Sequence, residues 1–148
     1  MSKVWLLDVN VLLAWLWPAH EAHGAASSWM QNHRQEPRAT CPITEMGFLR
    51  IVTTRSFSPH APAWAEAVQI LRKHTEGPKY CFWQDSLTSA ELDRRLGRRI
   101  KSPSQITNAY LLALAMHHKG TLVTFDYRME TLAPEGSAER EALVILRS

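Results

Sequence analysis

Two short apolar runs of this chain each stop on an aspartate, one near either end: Val4-Trp5-Leu6-Leu7 before Asp8, and Thr121-Leu122-Val123-Thr124-Phe125 before Asp126. Continuous apolar runs of this length mark strands buried on both faces, as in a parallel sheet covered by helices. Ligands of such sheets gather beyond the carboxyl ends of the strands. If the two runs pair as neighbours, carboxylates from opposite ends of the chain meet at one rim, and like charges held that close need a proton or a cation. A carboxyl group with an ordinary pKa near about 4 carries few protons at neutral pH, so a hard divalent ion with oxygen ligands is the better match. The pattern points to a metal-dependent enzyme.

The bulk properties agree with that reading. A chain of 148 residues with 45% hydrophobic content suits one globular domain spanning 1–148. Its longest apolar stretch, Val11 to Trp17, is closed by Pro18 and is far too short to span a membrane. Met1-Ser2-Lys3 leads straight into the first run and Asp8 interrupts any secretory apolar segment, so a cytoplasmic protein without a membrane partner is expected. Cys41 and Cys81 lack the spacing of a zinc site or disulfide framework and read as small buried apolar residues. The net charge is only +3, but the segment Arg94-Arg95-Leu96-Gly97-Arg98-Arg99-Ile100-Lys101 concentrates five basic residues. An acidic site in a basic protein suggests a polyanionic substrate approached through metal.

Strands and helices alternate along the chain. After the first strand, Val9 to Leu16 forms a short helix ended by Pro18, and His20 to His33 carries an apolar stripe at helical spacing. Thr40 to Glu45 enters a helix running through Val52, and Pro62 opens the next. Gly77-Pro78 is a break; Tyr80 to Trp83 reads as a strand, Ser86 to Arg99 as a helix, and Ser104 to Lys119 as the strongest helix, stopped at Gly120. Ala142 to Leu146 is the final strand candidate. This βα alternation predicts a three-layer α/β architecture with a mainly parallel central sheet flanked by helices.

Four ordered motifs then match something known: Leu6-Leu7-Asp8-Val9-Asn10-Val11-Leu12-Leu13-Ala14, Cys41-Pro42-Ile43-Thr44-Glu45, Gln105 to Ala115 with Thr107-Asn108-Ala109 at its start, and Leu122-Val123-Thr124-Phe125-Asp126. Together they resemble PIN-domain ribonucleases, in particular the VapC-like toxins of type II toxin-antitoxin modules. The His20-Glu21-Ala22-His23 segment before Trp29 is similar to a subgroup of these toxins. The resemblance implies a PIN-like fold and an endoribonuclease whose acidic residues hold Mg²⁺ or Mn²⁺, with RNA cut by a metal-activated water. It further implies a cognate antitoxin protein and a homodimer. Asp8, Glu45 and Asp126 fall on three of the acidic positions; Asn108 falls on the fourth, where the family carries Asp. An amide oxygen still ligates a hard cation, but it brings no negative charge and cannot act as a carboxylate base.

Other residues weigh less. Asn10 and Thr124 can orient the acids through hydrogen bonds, though each could simply satisfy nearby backbone. Arg50, one turn beyond Glu45, and Arg94, Arg95, Arg98 and Arg99 are candidates for RNA phosphates; a solvated helix end explains the arginine cluster about as well. His20 and His23 share a helical face without a third ligand nearby and stay outside the site. Most of the six tryptophans should be core. Asn108 also leaves open a catalytically silent PIN-like module that binds RNA or protein. A phosphatase of the haloacid dehalogenase type is weaker, because its second aspartate position is Asn10 here.

Overall fold

The computed structural model describes residues 3–148. Five strands, β1 (Trp5–Leu7), β2 (Arg38–Thr40), β3 (Tyr80–Phe82), β4 (Thr121–Thr124) and β5 (Leu143–Ile145), form one sheet in the order β3-β2-β1-β4-β5 with every pair parallel. The helices are α1 (Val9–Leu16), α2 (His23–Asn32), α3 (Pro42–Val52), α4 (Trp64–Arg72), α5 (Ser89–Leu96) and α6 (Ile106–His117). β1 is central, with β2 on one side and β4 on the other, so the chain reverses its direction of travel across the sheet between β3 and β4. Loops beyond the carboxyl ends diverge at such a reversal and leave a crevice. The two aspartate-terminated runs are the neighbours on either side of it.

Strand alternation assigns the layers. Successive side chains point to opposite faces, so Leu6 and Leu122 pack with Leu111, Leu112 and Leu114 of α6 and Leu92 and Leu96 of α5. Trp5, Leu7 and Val123 pack on the other face with Leu12 of α1, Phe48 and Val52 of α3, and Ala67 and Leu71 of α4. α2 lies outside α1, where Ala22 and Ala26 bury against Ala14. The central strands are buried on both faces, which is why they read as continuous apolar runs. Among the described residues no helix is long and apolar enough to cross a membrane.

The structure departs from the sequence expectations in a few places. β2 has no apolar run, because it is only Arg38-Ala39-Thr40; the Arg38 guanidinium leaves the sheet edge-on and donates to the His74 carbonyl at 2.8 and 3.1 Å. The segment Ser86 to Arg99 is helical only over Ser89–Leu96 and then tightens into a 3₁₀ turn, Gly97–Arg99. Cys81 is half-buried, whereas Cys41 is buried as expected. Trp64 is exposed; Trp5 and Trp83 are core. Of the Met1-Ser2-Lys3 lead, the first two residues lie outside those described.

The end of α6 shows a subtler difference. Gly120 does not supply the left-handed residue: Lys119 does, at φ 56°. The Gly120 N–H bonds the Ala115 carbonyl at 2.8 Å and the Lys119 N–H bonds that of Met116 at 3.0 Å, the paired closure of a Schellman motif. Gly120 is required for space, since a Cβ there would stand 2.7 Å from the Val4 carbonyl oxygen and 2.8 Å from the Trp83 ring. This close approach delivers the chain into β4 beside β1. Gly120→Ala is therefore expected to lower stability by about 1–3 kcal/mol through overpacking, while Lys119→Gly relieves the left-handed strain and raises it by up to about 1 kcal/mol. Urea denaturation of the two variants checks the opposite signs.

Candidate active site

The register of β1 on β4 pairs Leu7 with Val123, so Asp8 and Thr124 come next on adjacent strands. The Asp8 N–H continues the ladder to the Val123 carbonyl at 3.0 Å. The Thr124 hydroxyl then joins three segments. It donates to Asp8 Oδ2 at 2.7 Å and accepts from Asn10 Nδ2 at 3.1 Å and from the Asp126 backbone N–H at 3.0 Å. Asn10 Oδ1 accepts the Phe125 N–H at 3.1 Å, fastening the first turn of α1 to the end of β4. The other Asp8 oxygen accepts the Val9 N–H at 2.7 Å. Thr124 thus holds the Asp8 carboxylate and the Asp126 backbone, and Asn10, with both amide groups engaged, holds Thr124 and Phe125.

Asp8 is buried, and its carboxyl pKa is raised: burial is the main cause, opposed by the bonds from Thr124 and Val9, with the nearby Asp126 charge adding to the rise. Asp126 is shifted the other way, held below the usual carboxylate range chiefly by Arg128. Arg128 Nε and Nη2 meet the two Asp126 oxygens at 2.9 Å each, and the Arg128 backbone N–H adds a bond to Oδ1 at 3.0 Å. Asn108 also faces Asp126, with Nδ2 donating to Oδ2 at 3.3 Å. Asn108 does not cap α6, whose cap position is Gln105 with no side-chain cap bond. The rim thus brings Asp8, Asn10, Asn108, Thr124 and Asp126 into one connected network.

Glu45 stands apart from it. This residue lies in the first turn of α3, and its Oε2 accepts from the Thr40 hydroxyl at 2.5 Å and the Tyr80 hydroxyl at 2.9 Å. The two hydroxyls also contact each other at 2.6 Å. Tyr80 is pushed up to about 12, with burial the main cause and Glu45 contributing, so it stays a donor throughout the useful pH range. The expected convergence of three acids is therefore incomplete: among the described residues no three His, Cys, Asp or Glu side chains come together tightly enough to share one ion. The two hydroxyl donors at β2 and β3 hold Glu45 in that position. Thr40, Tyr80 and Arg128 were missed in the sequence because hydroxyls and a lone arginine outside the acidic motifs carry no spacing signal.

The arginine candidates scatter. Arg99 Nη1 binds Glu139 Oε2 at 2.7 Å and the Leu132 carbonyl at 3.1 Å, and Arg98 reaches Glu139 Oε1 at 3.4 Å. Glu139 is buried, and Arg99 is its counter-ion in the segment before β5. Arg98 remains largely exposed despite its contact; Arg94 and Arg95 occupy the last turn of α5. Arg50 is exposed in the last turn of α3, about 140° around the helix from Glu45. The histidines set aside from the site are local: His20 Nδ1 accepts the Ala22 N–H at 3.0 Å, and His23 Nδ1 contacts the Ala14 carbonyl at 2.8 Å.

The PIN domain model matches residues 5–134. The chain belongs to the PIN-domain family. It is 38% identical over 137 residues to Ribonuclease VapC44 of Mycobacterium tuberculosis, covering 91% of this chain and 94% of that protein. With Ribonuclease VapC39 of the same organism it shares 35% identity over 134 residues, covering 90% and 96%. Among solved structures, a VapBC2 complex from Rickettsia felis bound to a promoter DNA fragment superposes with a TM-score of 0.63 at 12% identity, covering 98% of this chain and all of that one. The sarcin-ricin loop cleaving toxin VapC20 of Mycobacterium tuberculosis gives 0.60 at 9% identity over 91% of this chain and 97% of that chain. The structural likenesses fix the PIN fold, a three-layer α/β sandwich; the sequence relatives place the chain with the VapC proteins.

The donor chemistry at the PIN rim fits a hard divalent ion. Asp8 and Asp126 supply carboxylate oxygens, Asn108 can turn its amide oxygen inward, and the Asp8 carboxyl bears an unfavourable burden from burial and from Asp126 that a cation would relieve. The sign of that burden can be measured. A carboxyl whose folded pKa is raised disfavours folding increasingly as pH climbs from the unfolded carboxylate range through the folded pKa, and the penalty is absent below that range. In chelator, Asp8→Asn is therefore expected to raise the melting temperature by a few degrees at pH 7 and to lose that advantage below about pH 4. Thr124→Val, which strands buried partners on Asp8, Asn10 and Asp126, should cost about 1–3 kcal/mol. Thermal melts across pH check the first, urea denaturation the second.

Proposed function

We propose that this chain is a divalent-metal-dependent endoribonuclease, using Mg²⁺ or Mn²⁺, and the toxin of a toxin–antitoxin pair. The observation that carries the reading is the Asp8–Thr124–Asp126 network at the point where the sheet reverses, in a chain 38% identical to a ribonuclease VapC. In that role Asp8 and Asp126 hold the ion and Asn108 contributes a neutral oxygen. The bound ion supplies Lewis acidity, activating water and stabilising negative charge on phosphoryl oxygens. Thr124 fixes the Asp8 carboxylate and the Asp126 backbone, and Asn10 holds Thr124, so the backbone frame of the two acids is set before substrate arrives. Glu45, tethered through Oε2 by Thr40 and Tyr80, turns its remaining oxygen to orient the attacking water or take up its proton. Partners of this reading are an RNA substrate, a cognate antitoxin and a second copy of the chain in a homodimer.

A cavity of about 380 Å³ extends the rim toward β5, lined by Asn10, His20, Phe125, Tyr127, Glu130 and Arg140 among others. Tyr127 is 73% exposed, a ring on which a single-stranded base can stack. This favours RNA with unpaired bases at the cleavage point.

Two features favour a second reading, a silent module that binds RNA or protein without cutting it: the neutral Asn108 and the guanidinium on Asp126. One assay separates them. With Mn²⁺ or Mg²⁺ the chain is expected to cleave unpaired RNA, chelator to stop it, and Asp8→Ala to reduce the rate by about 100-fold or more. Asn108→Asp should bind the ion more tightly and cleave faster, because it restores a charge. Cleavage absent with every metal in parent and Asn108→Asp alike would establish the silent module.

A further inference from the structure

Arg128 is the cation already present at the rim. Its forked contact covers both oxygens of Asp126, the lone pairs that a divalent ion needs. Yet the residue is not built into the fold: its side chain is 72% exposed, and among the described residues its guanidinium makes no bond except to Asp126. Exposed ion pairs of this kind are weak and screened by salt. A divalent ion, with twice the charge, would compete with the guanidinium for the same carboxylate.

The displaced side chain has a destination. On its flank lies a cavity of about 240 Å³ lined by Ser102, Ser104, Gln105, Asn108, Arg128 and Thr131, with Leu132 completing the wall. No carboxylate lines it. The Ser102 and Ser104 hydroxyls stand 3.0 Å apart, Gln105 Nε2 donates to the Thr131 hydroxyl at 2.9 Å, and that hydroxyl donates to the Arg128 carbonyl at 2.9 Å, so apart from Arg128 the lining is uncharged and keeps one serine hydroxyl and a second Gln105 N–H to offer a ligand. A guanidinium beside hydroxyl and amide donors, without a competing negative charge, suits a phosphodiester oxygen. The cavity adjoins Asn108, which bonds Asp126 at the rim.

We propose that Arg128 works in two positions: it covers Asp126 while the divalent ion is absent, and once the ion takes Asp126 it swings to the neighbouring cavity and binds a backbone phosphate of the RNA next to the one being cut. The residue is thus both a competitor of the metal and a contact of the substrate. This inference rests on the metal-dependent ribonuclease reading.

The opposite signs make it testable. Calorimetry with Mn²⁺ alone should show R128Q binding the ion about 2- to 5-fold tighter than the parent, the span of a weak exposed pair. In saturating Mn²⁺, a 2′-O-methylated oligoribonucleotide should bind R128Q about 5-fold more weakly, with the slope of log affinity against log salt smaller by about one. R128K keeps the charge without the fork and should recover part of the RNA affinity. A brace that merely steadies the turn after β4 predicts weaker Mn²⁺ binding in R128Q together with a lower melting temperature, and that result overturns the proposal. So does unchanged RNA affinity. If the parent binds Mn²⁺ and cleaves RNA while R128Q matches it in both titrations, only the Arg128 inference falls; if the parent binds no Mn²⁺, the ribonuclease reading falls with it.

Discussion

The Thr124 hydroxyl is the joint on which the rim depends. A β-branched residue at the last position of β4 is held in one rotamer by its strand environment, and here that rotamer aims Oγ1 across to β1. One proton goes to Asp8 and two lone pairs receive Asn10 and the Asp126 N–H. The geometry of both aspartates therefore follows from a single register, Leu7 beside Val123. The chain enters that register through a tight passage at Gly120, where the Val4 carbonyl and the Trp83 ring leave no room for a Cβ.

Charge management at the rim is uneven, and the unevenness is informative. Asp8 is buried with two neutral donors, and burial makes its charged form unfavourable. Asp126 has its counter-ion in Arg128, and Glu45 has been drawn off by two hydroxyls on the β2 and β3 side. The three acids are thus stabilised by separate means, each soft enough to yield: an exposed ion pair, a hydroxyl network, and a buried group that gains from neutralisation. In the proposed metal-dependent reading, a divalent ion would take the place of these protein partners as substrate and metal assemble.

Much of this was legible in the sequence because it is written in runs and spacings. Leu6, Leu7, Leu122 and Val123 announce two buried strands, and the aspartates that follow them land on one rim because both strands are parallel. Asn10 and Thr124 were readable as hydrogen-bonding neighbours, and they are. What escaped was whatever depends on a partner distant in sequence. Arg38-Ala39-Thr40 is a strand only because β1 and β3 flank it. Arg99 looked like part of a basic patch, but a buried Glu139 forty residues on claims it. Tyr80's hold on Glu45 spans two strands, and Arg128's fork on Asp126 requires the turn after β4 to fold back within two residues. Local pattern predicts elements; it does not predict which side chain will reach which carboxylate.

The central claim, that Asp8 and Asp126 form one divalent-ion site organised by Thr124, is tested most directly by paramagnetic Mn²⁺ added to isotope-labelled protein. The account predicts selective broadening of the amide signals of residues 8–10, 108 and 124–128, with those of 94–99 on α5 and its 3₁₀ extension untouched at the same Mn²⁺ concentration. Broadening centred elsewhere, or spread evenly over the acidic surface with residues 8 and 126 spared, would contradict it.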